Sequence, residues 1–367
     1  MNKAFFFLFG TFLFLVSVFS YLFVESNVFS FFFASFAFNN RLIVSILFII
    51  VISIFFLFYL FLISKIKEKS ITIFDVWKII FLTCIFLLFS YPAMLSYDIF
   101  NYIVTAKVIY LYQENPYIIM PIEFIREPLL EFMHAANKIS LYGPSWIFLS
   151  FIPHFTGFQN FTFTLLTFKI FNLLFYLGTT VLIWKLTKKI VSVALFSLNP
   201  LVIIETLISS HNDIVMIFFM LCSFFYIQQN KKILALLFLF VSILVKYATI
   251  FLAPIFIYLL WKKNQDINWQ KIYKYSLILM SLPFFLSPFR EEIYPWYAIW
   301  FLVFTSLVNK KIINQLTTVF SFSLLLRYIP FIYWGTHAGI TPFLKIGVTF
   351  FPLSLYSIYY WIKRRYA

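Results

Sequence analysis

Residues 42–64 read LIVSILFIIVISIFFLFYLFLIS, 23 positions without a charge, preceded by Arg41 and followed by Lys65, Lys67 and Lys69. A helix needs about 20 apolar residues to cross the hydrocarbon core of a bilayer. Such a helix pairs its own backbone polar groups, which lipid cannot do. Flanking lysines mark the cytoplasmic side, where Lys and Arg collect in short loops. The stretch therefore reads as a membrane span, and comparable runs recur along the chain. Residues 4–24 form one behind Lys3, too long for a signal-peptide core and without a small-residue cleavage pattern, so it reads as a retained first span.

Composition agrees. Of 367 residues 63% are hydrophobic, 24% aromatic and 11% charged, with a mean hydropathy of +0.95. Soluble domains are about 45–50% apolar and about 25% charged, so a soluble enzyme, a disordered chain and a disulfide scaffold are excluded. The net charge of +15 would suggest a nucleic-acid surface if it lay on one face. It falls instead in short clusters between apolar runs, as topology signals do, and no nucleic-acid partner is expected. Cys84 and Cys222 lie inside apolar segments with no metal-ligand spacing.

Charge punctuation places further spans at 77–95, 161–184, 190–208, 213–229, a broken pair at 232–245 and 247–261, then 273–288, 297–308, 312–329 and 342–361. The expectation is an all-α multi-pass membrane protein of about 12 helices, in a range of roughly 10 to 13, forming one membrane domain over 1–367 with both termini cytoplasmic. Residues 96–145, the longest polar stretch, then lie outside as a loop with amphipathic interfacial helices. Most of the 28 Lys and Arg fall inside on this path.

Polar residues that do not serve topology gather at the external ends of helices. In Ser96–Tyr102, a helix would put Asp98, Asn101, Thr105 and Tyr112 on one stripe, presenting Asp98 to a cavity from an interfacial helix. An N-cap aspartate is the plainer reading. Pro128 would open a second amphipathic helix whose solvated face carries Glu127, Glu131, His134 and Lys138, without chemistry. Glu205 lies within an apolar run ahead of Ser209-Ser210-His211-Asn212-Asp213. An acid there is costly and faces a polar interior, whereas Asn212 and Asp213 also serve as helix caps. His211 has no metal-ligand partner by spacing. Lys246, Arg290 and Arg327 are external cations suited to an anionic head group, against the plainer reading of snorkelling.

Carboxylates, amides, cations and boundary aromatics on one face fit transfer of a sugar from a lipid phosphate. A cation offsets charge on the departing phosphate, and a carboxylate, Asp98 first, deprotonates the acceptor. The order of Tyr97-Asp98-Ile99-Phe100-Asn101-Tyr102, Asn115-Pro116-Tyr117, Tyr142-Gly143-Pro144, His211-Asn212-Asp213, Lys246-Tyr247 and Pro295-Trp296-Tyr297 resembles the GT-C superfamily of membrane glycosyltransferases, in particular the polyprenol-phosphate-mannose-dependent mannosyltransferases.

The resemblance implies a GT-C-like fold and an extracytoplasmic active site in a plasma membrane. It implies transfer of a hexose, mannose, from a polyprenyl-phosphate donor to a glycan or lipid-linked acceptor. Asp98 would be catalytic; Asn101, Tyr102, Glu205, His211, Asn212 and Asp213 would bind substrate; and Lys246, Arg290 and Arg327 would bind the donor phosphate. No cofactor is expected: paired acids beside Asp98 are lacking, which speaks against a metal-dependent mechanism, and a lipid-phosphate donor needs no metal to neutralise a diphosphate; a divalent metal stays open as the alternative. A polymerase or ligase using a lipid-diphosphate donor, and a transporter or lipid flippase, stay open on the residues alone.

Overall fold

The computed structural model describes residues 3–262, 266–289 and 292–366. Among them every regular element is helical. Among the described residues five helices are long and apolar enough to cross a membrane: Lys3–Phe23, Arg41–Lys67, Phe161–Thr187, Trp269–Phe289 and Lys311–Trp334. A sixth candidate is Ile190–Ser197 with Pro200–Ile208, bent by 56°. The shorter apolar helices Asp213–Gln228, Lys232–Val245, Tyr247–Trp261 and Pro295–Val308 account for much of the difference from the expected twelve.

The sequence sets these breaks locally. Asn199 and Pro200 interrupt the 190–208 run: Asn199 accepts a hydrogen bond from the Leu201 amide at 3.0 Å and Pro200 starts the next helix. That helix then widens into a π-turn at Ile204–Ile208. Lys246 adopts extended backbone (φ −155°, ψ 124°), so the apolar run behind it becomes the helix Lys232–Val245, a 3-10 stretch Tyr247–Leu252 and the helix Ala253–Trp261. On the lysine-rich side, Thr72 and Asp75 form a reciprocal capping box that starts the helix Ile73–Leu88.

Two expectations for 96–145 are corrected. The helix Asp98–Tyr110 forms, but residues 99–106 are all buried, so it is a core helix rather than an interfacial one. No helix starts at Pro128. Glu127 is pulled inward to meet Lys107 Nζ and the Tyr112 hydroxyl, both at 2.7 Å, and the chain continues in 3-10 turns through Leu130–Phe132. A buried carboxylate is retained when paired and hydrogen-bonded, and this pairing takes Glu127 off the expected solvated face.

The loop is stapled to the bundle by its own turns. The Tyr117 hydroxyl donates to the Tyr142 carbonyl at 2.8 Å, and the Ser140 amide donates to the Pro116 carbonyl at 2.7 Å. Gly143 then lies against the Leu244 carbonyl so closely that a Cβ would sit 2.1 Å from that oxygen. Only a residue without Cβ permits this approach, which sets the start of the helix Pro144–Thr156 beside the break at Lys246.

Candidate active site

A cavity of about 800 Å³ lies between the 96–145 segment, the break at Lys246, the 292–300 segment and the end of the Lys311–Trp334 helix. Two carboxylates line it among the described residues, Asp98 and Glu292. Tyr97 sets the entrance to Asp98: its hydroxyl donates to Glu25 and its ring packs 4.6 Å from His134. Asp98 stands in the first turn of its helix with a side chain 26% exposed. Asn101, one turn on, approaches it at 3.4 Å.

Behind Asp98 lies His211, wholly buried in the turn at 209–212. Its Nδ1 is 3.4 Å from Asp98 Oδ2 and its Nε2 3.2 Å from Glu205 Oε2. These are ion-pair distances, although neither ring nitrogen is aligned for a full hydrogen bond. The ring stacks on Trp296 at 4.1 Å and 19°. Glu205, fully buried in the π-turn, accepts a hydrogen bond from the Tyr328 hydroxyl at 2.9 Å. Burial alone would lower the His211 pKa, but Asp98 and Glu205 outweigh it and hold the imidazole up at about 9. Burial pushes Asp98 upward, and His211, Lys246 and Asn101 more than reverse that, holding it below the usual carboxylate range.

Lys246 reaches the cavity wall already paired. Its Nζ lies 2.9 and 3.0 Å from the two oxygens of Asp213, and over the rings of Tyr297 (4.6 Å) and Trp300 (5.5 Å). Asp213 is fully buried and also accepts from the Trp300 indole. The Pro295-Trp296-Tyr297 motif thus supplies one aromatic plate to His211 and another to Lys246.

The expected site residues divide by depth. Asp98, Asn101, Lys246 and Arg327 line the cavity. Glu205, His211, Asn212, Asp213 and Tyr102 stand behind its wall, where the Tyr102 hydroxyl meets Asn212 Oδ1 and the Asn212 amide at 3.3 Å. Arg290 lies outside the described residues. Among the described residues no three His, Cys, Asp or Glu side chains are grouped to hold a metal ion.

Around the expected Arg327 the lining holds a second polar group whose other members, Glu292, Lys345 and His337, were not singled out by sequence. Arg327 and Lys345, 6% and 7% exposed, share the Glu292 carboxylate at 3.2 and 3.1 Å. His337 Nδ1 lies 3.1 Å from Lys345 Nζ, and Arg41 lines the same cavity. Lys345 sits in an otherwise apolar run, the same signal that marked Glu205. Lys169 shows that the signal has another outcome. Deep in the Phe161–Thr187 helix, its ammonium donates to the Leu87 and Ser90 carbonyls and the Ser90 hydroxyl, closing the end of the Ile73–Leu88 helix.

No curated protein and no solved structure matches the chain. A family model described as alpha-(1->6)-mannopyranosyltransferase, N-terminal domain, matches residues 8–263, a stretch that carries Asp98, Glu205, the His211–Asp213 turn and Lys246. That is more than half of this membrane-embedded chain, which therefore belongs to the alpha-(1->6)-mannopyranosyltransferase family, hexosyltransferases that draw on a polyprenol-phosphate-mannose donor.

Proposed function

We propose that the protein transfers mannose from polyprenyl-phosphate mannose to the 6-hydroxyl of a mannose-bearing glycan or lipid-linked acceptor, in the cavity lined by Asp98, and that Asp98 is the general base. The acceptor oxygen attacks the anomeric carbon and its proton passes to Asp98. The bond from that carbon to the phosphate oxygen breaks, and its electron pair leaves on the polyprenyl phosphate. The observation that carries this reading is the division between the two lining carboxylates: Glu292 is held by two cations, while Asp98 opens to the cavity with no Lys or Arg among the described residues within ion-pair distance.

The donor phosphate belongs with Arg327 and Lys345. Lys246 is neutralised by Asp213 at 2.9 Å, so it offers an ordered wall rather than a free charge. Arg327 and Lys345 carry two charges against one carboxylate, an imbalance that an incoming phosphate corrects. Arg290, two residues before Glu292 in sequence, is kept as a third phosphate ligand. The apolar part of the lining, Phe23, Phe38, Ile250, Phe251 and Leu286, suits the first units of a polyprenyl chain.

We place the cavity on the extracytoplasmic face of a plasma membrane, with 96–145 outside and both termini cytoplasmic. The lysine clusters support this, since they fall at the opposite ends of the helices. The shorter apolar helices then complete a GT-C-like bundle of about twelve crossings and half-crossings. Purified protein in nanodiscs, given polyprenyl-phosphate [3H]mannose and octyl α-mannoside, tests the reading. Folded Asp98→Asn should lose about 10²-fold or more of the transfer rate, the usual worth of a general base. Wild-type transfer by that variant would remove Asp98 from the role.

A further inference from the structure

The chemistry assigned to Asp98 leaves His211 and Glu205 unexplained, although both are fully buried at the back of the site. Three elements converge on the imidazole. Asp98 meets Nδ1 from the start of the Asp98–Tyr110 helix, Glu205 meets Nε2 from the π-turn, and Trp296 covers the ring face. Each carboxylate has a second anchor, Asn101 for Asp98 and Tyr328 for Glu205. The turn that carries His211 passes through Ser210 at φ 55°, a left-handed conformation that a serine keeps only when its surroundings impose it.

The geometry points to His211 as a positioning residue: an imidazolium clamped between Asp98 and Glu205 that aims the base and keeps it ionised in a cavity whose walls disfavour charge. This rests on Asp98 being the base. The second carboxylate is what makes the arrangement work. By formal charge, two carboxylates about one imidazolium carry one negative charge, and when Asp98 takes the acceptor proton the trio becomes neutral. An imidazolium with Asp98 alone would go from neutral to a stranded buried cation at that same moment, which a low-dielectric site resists.

The other groups facing this trio leave the sign unchanged. Lys246 and Asp213 form a neutral pair. Tyr328 gives its hydroxyl hydrogen to Glu205, and burial pushes the Tyr102 and Tyr142 hydroxyls well upward, so both stay protonated across the working range. His134, on the cavity side of Asp98, is pushed toward its neutral form by burial. Neutral tyrosines and a neutral His134 leave His211 as the cation in direct contact with Asp98.

The test is the pH dependence of kcat/KM for wild type, His211→Gln, Glu205→Gln and Asp98→Asn in nanodiscs, with polyprenyl-phosphate [3H]mannose and octyl α-mannoside. In His211→Gln, Asp98 loses its counter-charge and faces Glu205, so the acid limb should move up by about one pH unit or more, a tenfold rate loss on that limb. In Glu205→Gln the imidazole keeps one carboxylate, so transfer should gain a new decline as pH rises past neutrality. A His211→Gln profile lowered equally at every pH, or a Glu205→Gln profile of wild-type shape, overturns the inference. If His211→Gln does not elute as a monodisperse species, Glu205→Gln decides alone, since it keeps the imidazole and the side-chain shape. Full transfer by Asp98→Asn brings down the base assignment itself, whereas an inactive Asp98→Asn beside unshifted profiles brings down only the role of His211.

Discussion

Gly143→Ala is expected to loosen the whole site from a position outside the chemistry. The backbone of Gly143 is ordinary (φ −72°, ψ 160°), so alanine meets no conformational penalty there. The obstacle is steric: the new Cβ would lie 2.1 Å from the Leu244 oxygen and 2.7 Å from its carbonyl carbon. Ordinary carbon–oxygen contacts start near about 3.3 Å, so the two backbones must part by about 1 Å. Overpacking of this kind costs about 1–3 kcal/mol. The Gly143 amide also bonds to the Val245 carbonyl at 3.3 Å, already long, and losing that bond adds about 1 kcal/mol. The total is about 2–4 kcal/mol, applied two residues from Lys246 and one from Tyr142, both in the cavity wall. A misplacement of about 1 Å in a catalytic site costs about 10²-fold in rate. Thermal melting in detergent and initial transfer rates should both fall for Gly143→Ala. Gly347→Ala is the control, because nothing lies within 4 Å of its Cβ position, and alanine there should hold or slightly raise the melting point. Wild-type melting and transfer by Gly143→Ala would refute the close approach.

Asp213→Asn strips a buried partner from Lys246 and should cost about 3–5 kcal/mol, the penalty for breaking a buried pair from one side. Asp213→Asn combined with Lys246→Met should recover most of that in a melting assay, since no charge is then left unpaired. Glu292→Gln should tighten binding of a polyprenyl phosphate, by about three- to tenfold, and Lys345→Met should weaken it by at least as much, because each changes the charge balance at Arg327; titration calorimetry in nanodiscs reads both. Stability should depend on pH through His211. Its folded pKa of about 9 lies above the ordinary imidazole value of 6.5, so its contribution is complete below about pH 6.5 and is lost as pH rises through 9. Asp98, shifted the other way from 3.8, contributes above that value and is lost in stronger acid. The melting point should therefore fall between pH 6.5 and 9 in wild type, and that slope should be absent from His211→Gln.

Much of the helix pattern was legible because charge and proline punctuate apolar runs locally. Lys246 broke its run and Pro200 bent its own, as expected, since both effects depend on neighbours in sequence. Glu205 was legible as an acid facing a polar interior, because nothing else explains its cost in an apolar segment. The fate of Glu127, Lys107, Lys169 and Lys345 was not legible for a single physical reason: a charge in a short polar stretch or at a helix end looks the same whether it meets water, lipid head groups or a partner. The partner of Glu127 lies 20 residues away in sequence, that of Lys169 some 80, and that of Lys345 some 53. Periodicity therefore placed Glu127 on a solvated helix face, and a buried ion pair removed it.

The short motifs fared better than their length suggests, and the contacts explain why. Asn115-Pro116-Tyr117 and Tyr142-Gly143-Pro144 are two sides of one junction, joined by the Tyr117 hydroxyl. Pro295-Trp296-Tyr297 supplies the plates that hold His211 and Lys246. Each motif spends residues that are poor choices for a lipid-facing helix, a proline, a glycine or a polar aromatic, and each does so where another motif makes contact. A chain that needs only to cross the membrane could replace them with leucine. Their grouping follows from mutual contact around one cavity, so substitutions within different motifs should couple rather than add. Gly143→Ala and Tyr297→Leu, which removes the ring over Lys246, make the sharpest pair for a double-mutant cycle: a coupling energy of about 0.5 kcal/mol or more in transfer rate is expected for sites that share a partner, and strict additivity would mean that the motifs act separately.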